Sequence, residues 1–477
     1  MRSNIKSLIA LTIGAACSSA AAQEGALHAD FRGEGKRLGE SCKITAIASI
    51  FSCAEELFTD HPLHIAAGSL PPQNGFGLGA AFVGGKNTTN WRTTWDIDAV
   101  GSTNASYRAG GYLTMVHTPP VEIKVLQPVT PGNGSPEPRK TAPPSFVHPY
   151  TVVNLVAQSI SLNELFYFGL GNQSSLAGQT VFGMQETVAG ASVIKPVFEW
   201  QAIRALNLSL EGEMNGRFVS LRGNHSASVP SIESLYSDTT APGLASQAAT
   251  AQFGESVRID PKLWDRLEFN YLGVFQQYAA SSDSHRSFLR WTIDLNHTFS
   301  IYGHTQSAAA ANNEHGPDEC ASLSDRCPPV STSRNLSGSI GVRLLLSESV
   351  TSSANSVPFY FQPTLGGSDI NGQSTLASYE DYRFRAPNLL LLDGSFEHSI
   401  WGPLGFAFTA DQGKTETARS QIAFDHLKHS FAAGLTLRAG GFPMVNVMFA
   451  WGGREGHHDI LSMNPSLLGG STRPSLF

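Results

Sequence analysis

Apolar and polar residues alternate one by one along much of this chain. Around Leu206, Leu208, Leu210, Gly212 and Met214 the interleaved positions are Asn207, Ser209, Glu211 and Glu213. Trp291, Ile293, Leu295 and Phe299 are spaced by Arg290, Thr292, Asp294, Asn296 and Thr298. The same rhythm runs through Leu336, Ile340, Val342, Leu344 and Leu346, and again through Phe431, Ala433, Leu435 and Leu437. A period of two sends successive side chains to opposite faces of a sheet, so each segment predicts a strand with one apolar and one polar face. About sixteen such segments can be placed, too many for one ordinary sandwich. Asn74-Gly75 and Gly440-Gly441 fall between segments and predict tight hairpin turns. Longer polar stretches separate other strands, at about 117–148, 216–262 and 304–335, the first rich in proline. Short turns at one end and long loops at the other is the expected asymmetry of a membrane barrel. Alternation by itself leaves open which face is inside. A soluble sandwich buries the apolar set, whereas a membrane barrel turns it to lipid and lines its lumen with the polar set.

Two segments depart from the rhythm. Ile44, Ile47, Ile50, Phe51, Ala54 and Leu57 recur at helical spacing, which predicts a short amphipathic helix over 43–58. Its expected place is at the barrel rim, packed against it or capping its mouth. Near the other terminus Pro474 cannot donate to a strand ladder, so the last strand is expected near 457–467, with 468–477 as a tail ending on the aromatic Phe477.

Composition changes the picture. Only 15% of the 477 residues are charged, where a soluble protein carries about a quarter. Yet beyond the N-terminus no apolar run reaches the roughly 18 residues that a membrane helix needs. The apolar residues are instead dispersed along alternating strands, as in a barrel. Arg2 and Lys6 precede an apolar stretch from Leu8 to Ala16 and the small residues Ala20-Ala21-Ala22. That is the pattern of a cleaved secretory signal over 1–22, followed by a periplasmic segment over 23–61 and a barrel over 62–477. Cys17 is not read as a lipid attachment site, because the position three residues earlier is Gly14 rather than Leu.

Cys42, Cys53, Cys320 and Cys327 form two local pairs, read as disulfides in an exported chain. A single helix carrying both Cys42 and Cys53 would hold them about 16 Å apart, beyond disulfide reach. Either Cys42 lies outside that helix or the two are unpaired. Neither pair has zinc-ligand spacing, and no metal or cofactor is expected. The net charge of -7 argues against nucleic acid. No H-E-x-x-H, P-loop or G-x-S-x-G pattern occurs, so no enzyme activity and no catalytic residues are expected. Gly75, Gly77 and Gly79 alternate within a strand rather than forming a phosphate loop. Adjacent His457 and His458 point to opposite faces.

From Pro358 to Arg385, and on through the LLLLDGSFEHSI and FAFTADQGK runs, the chain resembles the C-terminal barrel of the BamA/TamA superfamily, the bacterial surface antigen type. The run from Phe166 to Asn172 is similar to that family's F-x-G-x-G-N segment. The resemblance implies a loop, about 357–388, folded back into the lumen. Gly366 and Gly367 match its turn, and Leu376 and Tyr379 the outer members of its V/L-R-G-F/Y tetrapeptide. Glu397, Asp411 and Gly413 match the acidic and D-x-G positions on the following strands. The family's Arg and Gly are Ala377 and Ser378 here, so the loop cation is missing. A charge-assisted contact to the lumen carboxylates would then fall to Arg383 or Arg385, Arg383 being the favoured one. Alternatively a wet lumen hydrates both acids.

The family's periplasmic POTRA domains have no room in the stretch before residue 62. The resemblance implies a protein of the bacterial cell outer membrane, in contact with lipid and lipopolysaccharide. Its expected work is assembly or export of outer-membrane proteins, with client proteins or a POTRA-type partner. The alternative is a passive porin or solute channel with a mixed-charge lumen of Glu211, Glu213, Asp294, Arg290 and Arg343.

Overall fold

The computed structural model describes residues 63–118, 150–199, 206–225, 228–261, 266–309, 331–369, 373–401, 404–439, 442–453 and 455–463. The expected signal segment, the expected 43–58 helix, Cys42, Cys53, Cys320 and Cys327, and the expected tail lie outside the described residues. In chain order the strands are β1 (Leu63–Ser69), β2 (Phe76–Asn87), β3 (Trp91–Ser102), β4 (Tyr107–His117), β5 (Val152–Tyr167) and β6 (Thr180–Glu199). β7 (Leu206–Gly223), β8 (Thr250–Pro261), β9 (Leu267–Ala280), β10 (Phe288–Ala309) and β11 (Ser331–Val350) follow. Two strands of two residues each, β12 (Thr364–Leu365) and β13 (Phe384–Arg385), interrupt the series. It resumes with β14 (Asn388–Trp401), β15 (Leu404–Glu416), β16 (Lys428–Ala439), β17 (Phe442–Trp451) and β18 (His457–Met463).

Sixteen of these form one sheet in which every strand pairs with its chain neighbours, β11 pairing directly with β14. The ladders of this sheet are all antiparallel, and β1 and β18 approach within 8 Å between Cα atoms, so the sheet rolls into a barrel. The alternating segments of the sequence lie on β7, β10, β11 and β16. The last strand ends at Met463 among the described residues.

Burial answers the question that alternation left open. On β3, Asp96 and Asp98 are 1% and 2% exposed while Ile97 between them is 60% exposed. On β7, Met214 is 58% exposed beside Asn215 at 5%. The polar set is inside and the apolar set outside, the reverse of a soluble sandwich. Inward charges are paired across neighbouring strands: Arg108 with Asp98 at 3.1 Å, Arg217 with Glu186 at 2.8 Å, Arg343 with Asp294 at 2.8 Å. Pairing offsets much of the cost of taking these ions out of bulk water. The five residues expected in the lumen sit on this inner face. Glu213, for example, accepts from Gln252 and Gln276.

The reading of the long loops needs correction. In an up-and-down barrel successive connections alternate between the two ends. Connections 70–75, 103–106, 168–179, 224–249, 281–287, 351–387, 417–427 and 452–456 therefore share one end, here the upper. The strands flanking 118–151 and 310–330 meet those segments at the lower end, which also receives the start of β1 and the end of β18. Of the three long stretches the middle one is at the upper end, where β7 and β8 shorten it to 224–249, and most of the other two lies outside the described residues. Loop length carries no direction; only the parity of the strand count does.

Candidate functional site: a loop filling the upper mouth

The connection from β11 to β14 turns inward and fills the upper mouth. Its first foothold is the single turn Phe359–Phe361, whose three aromatic side chains are all buried. Phe359 meets Tyr167 and Phe182 with ring centroids at 5.1 and 5.2 Å, and Phe361 meets Tyr278 at 5.5 Å. Ile160, Leu162, Leu165, Ile232 and Phe288 are among the other residues of the cluster. Each large apolar side chain buried here contributes about 1.5–3 kcal/mol. Two arginines close the turn's carbonyls. Arg290 on β10 donates to Phe361 O at 2.5 Å while its guanidinium lies over the rings of Phe288 and Tyr278. Arg385 donates to Phe359 O at 2.8 Å.

The second foothold is the stretch from β12 to β13, which pair antiparallel. Between them the chain doubles back at Gly366 and Gly367, with φ of +105° and +58°. A Cβ at Gly367 would sit 2.4 Å from Asp381 Oδ1 and 2.7 Å from Asp381 Cα, so only glycine fits without displacement. The tip then lies along the inner wall. Leu376, itself at φ +48°, donates its N–H to Asp411 Oδ2 at 2.8 Å. Ser378 N donates to Ser430 Oγ at 2.8 Å, and Ser378 Oγ to Gly452 O at 3.0 Å. Leu365, Leu376, Tyr379 and Phe384 pack with Leu389 and Leu391 of β14. Gly413 on β15 makes room for this, since a Cβ there would stand 2.9 Å from Leu365 Cδ1.

Arg383 is the polar centre of this foothold and is 2% exposed. Its Nε and Nη2 donate to the two carboxylate oxygens of Glu455 at 2.7 and 2.8 Å. Its Nη1 and Nη2 also reach Ser174 Oγ and Ser174 O, both at 2.8 Å. The guanidinium lies over the rings of Phe168 and Phe384, at 5.0 and 4.6 Å from their centroids. A bidentate, stacked arginine of this kind is geometrically exacting.

Other upper connections also hold the loop. Tyr382 Oη donates to Pro72 O, and Gln73 Nε2 donates to Asp381 Oδ2. Gly171 N donates to Arg385 O, Phe359 N to Pro242 O, and Ser356 N to His285 O. Loops at residues 70–75, 168–179, 224–249, 281–287 and 452–456 thus all grip it.

The residues expected at this site come together, with one change of partner. Gly366, Gly367, Leu376, Tyr379, Arg383, Arg385, Asp411 and Gly413 surround the second foothold. The expected contact of Arg383 with Glu397 or Asp411 is not the one formed: its carboxylate partner is Glu455. Asp411 serves the backbone of Leu376, faced across the ladder by Asp393. Glu397 is on the inner face of β14, two inward positions nearer the lower end than Asp393. Glu455 and Ser174 were not anticipated. Glu455 sits in the β17–β18 turn beside Gly452, Gly453 and Gly456, all at positive φ, and that glycine-rich turn was the available signal.

No family model and no curated protein matches this chain. Among solved structures it is similar to CdiB from Escherichia coli, at 11% identity and a TM-score of 0.48, over 85% of this chain and 61% of that one. CdiB from Acinetobacter baumannii gives 10% identity and a TM-score of 0.44, over 83% and 59%. BamA from Haemophilus ducreyi lacking POTRA domains 1-3 gives 11% and 0.43, over 84% and 68%. The chain spans about three fifths of the two CdiB chains.

Proposed function

We propose that this protein is a bacterial outer-membrane barrel of the BamA/TamA surface-antigen type, acting in assembly or export of outer-membrane proteins, with the 351–387 loop as its gate. It works without catalysis. Its partners are membrane lipid, lipopolysaccharide and client proteins, with a POTRA-type partner supplying periplasmic domains. The inverted polarity of the wall supports the membrane placement: apolar residues such as Ile97 and Met214 point outward on a chain in which no described helix is long and apolar enough to cross. The observation that carries the gate is the bidentate Arg383–Glu455 pair, which ties the loop to the β17–β18 turn at the rim of its own mouth.

A passive porin is the competing reading; its lumen, with pairs such as Arg343–Asp294 and Arg217–Glu186, would be of mixed sign with little ion selectivity. Conductance in a planar bilayer separates the two. For a gated barrel the wild type gives a small, flickering conductance that becomes large and steady in Arg383→Ala. A large, steady conductance in both proteins would leave a porin. Assembly is tested separately, by depleting the protein and measuring the abundance of other outer-membrane proteins, which should fall.

A further inference from the structure

We propose that the outer face of β6–β9 is an interface between two copies of this chain, related by a two-fold axis parallel to the barrel that passes over β7 near Gly212. The inference rests on the membrane placement proposed above, and is independent of what the gate admits.

Val193, Gly212, Glu255 and Phe275 are ladder partners in one row across β6, β7, β8 and β9. Around that row the outward side chains are apolar and well exposed, with Met214 at 58%, Phe275 at 47% and Phe253 at 45%. Glu255 breaks the set. It is exposed, on the same outward parity as Phe253 and Val257, and near the middle of β8. In a bilayer that position faces hydrocarbon, where an ionised carboxylate is costly unless something pairs with it. Lys195, exposed on the outward face of β6, is the second charge on this surface. Among the described residues neither the Glu255 nor the Lys195 side chain has a hydrogen bond or ion pair.

The surface is also recessed. A groove of about 440 Å³ runs between Val193, Gly212, Met214, Phe253, Glu255 and Phe275. A Cβ placed on Gly212 would meet nothing within 4 Å. A lipid chain could fill this groove but would leave the carboxylate unpaired. A second copy fills it and pairs the charge. β7 lies between β6 and β8, so a two-fold axis over β7 sets β6 of one copy against β8 of the other. Gly212 of each copy then faces Gly212 of the other, and Met214 of each flanks that close approach. Lys195 of each meets the other's Glu255, a contact made twice by symmetry. Lys195 is two residues along the strand from Val193, about 7 Å, which its flexible stem can span.

The test begins with the full chain in native membranes. Met214→Cys, next to the axis, should cross-link to its own copy under mild oxidation, whereas Ile97→Cys on the outer face of β3 should not. In mild detergent, light scattering should give twice the chain mass. Glu255→Lys and Lys195→Glu should each weaken the dimer at least tenfold, and the double exchange should restore it. Glu255→Gln, which keeps the shape without the charge, should weaken it as well and guards against a variant that fails to fold. A protein of single-chain mass in the membrane fraction, equal cross-linking at Ile97→Cys, or a double exchange no better than the single changes would overturn the interface alone. A protein absent from the membrane fraction would overturn the membrane placement too.

Discussion

The loop in the upper mouth has two footholds built from different physics. At Phe359–Phe361 it is held by buried rings, with Tyr167, Phe182, Tyr278 and Phe288 around it. From Gly366 to Arg385 a smaller apolar cluster around Leu376, Tyr379 and Phe384 is joined by directed polar contacts to Asp411, Ser430, Gly452 and Glu455, which set its position. Apolar burial is non-directional and falls off gradually as groups separate. A bidentate ion pair and a backbone N–H to a carboxylate depend on geometry and are lost within an ångström or so. The first foothold is therefore an anchor and the second a latch. A loop hinged on its anchor while its latch opens would clear the Glu455 side of the mouth first.

Experiments that remove one foothold at a time sharpen this contrast. Phe359→Ala should have the largest effect, about 3–5 kcal/mol of lost anchoring. It should be read as loss of amide-exchange protection across the whole of 357–388; loss confined to the turn itself would mean the two footholds are not coupled. Arg383→Ala leaves Glu455 without its cation and should cost a similar or somewhat smaller amount, about 3–5 kcal/mol at most. Its lost protection should be greatest from Gly366 to Arg385, and an equally large loss at Phe359–Phe361 would argue against separate footholds. Ser430→Ala removes the acceptor of Ser378 N–H, a contact buried against the wall. It should cost about 1–3 kcal/mol and raise the opening rate of the tip alone.

The smallest expected effect is that of acid. Asp238, in the 224–249 loop behind the anchor, has a carboxyl that burial pushes up. The N–H groups of Ala245 and Gly243 and the guanidinium of Arg286 outweigh that and hold it below its ordinary value of 3.8. A depressed folded pKa means its stabilisation is complete above about 4 and fades as pH falls through the lower folded value. Because the group is substantially solvated, the loss should be slight, visible as faster proteolysis of 224–249 below pH 4 and unchanged between pH 5 and 8.

The wall was far more legible in the sequence than the mouth. Leu206 to Met214, Trp291 to Phe299 and Phe431 to Leu437 could be placed on strands because a period of two shows in any contiguous stretch. The same pattern is silent on sidedness; the low charge, the export signal and the strand count pointed to it, and the burial of Asp96 and Asp98 around an exposed Ile97 shows it. Gly366, Gly367 and Arg383 were found through a local resemblance, since they lie in one continuous loop. The partner of Arg383 was not, because Glu455 is 72 residues away in a turn that no local pattern links to the loop. The expected arginine at the lumen carboxylates is not there. Asp411 does hold the loop, but through a main-chain N–H, and backbone donors carry no signature in side-chain identity.

Both ends of the 351–387 loop are fixed to paired strands, with Ser347 of β11 opposite Leu389 of β14. Once unlatched, the loop cannot diffuse away. It remains a tethered ligand for its own binding site, at an effective concentration on the order of millimolar. Any molecule that keeps the mouth open must compete with that concentration. A freely diffusing competitor at micromolar levels would need an affinity roughly a thousandfold higher than the loop's own, whereas one delivered already bound to the barrel would not. The closure therefore selects for how a competitor arrives, and not only for what it is.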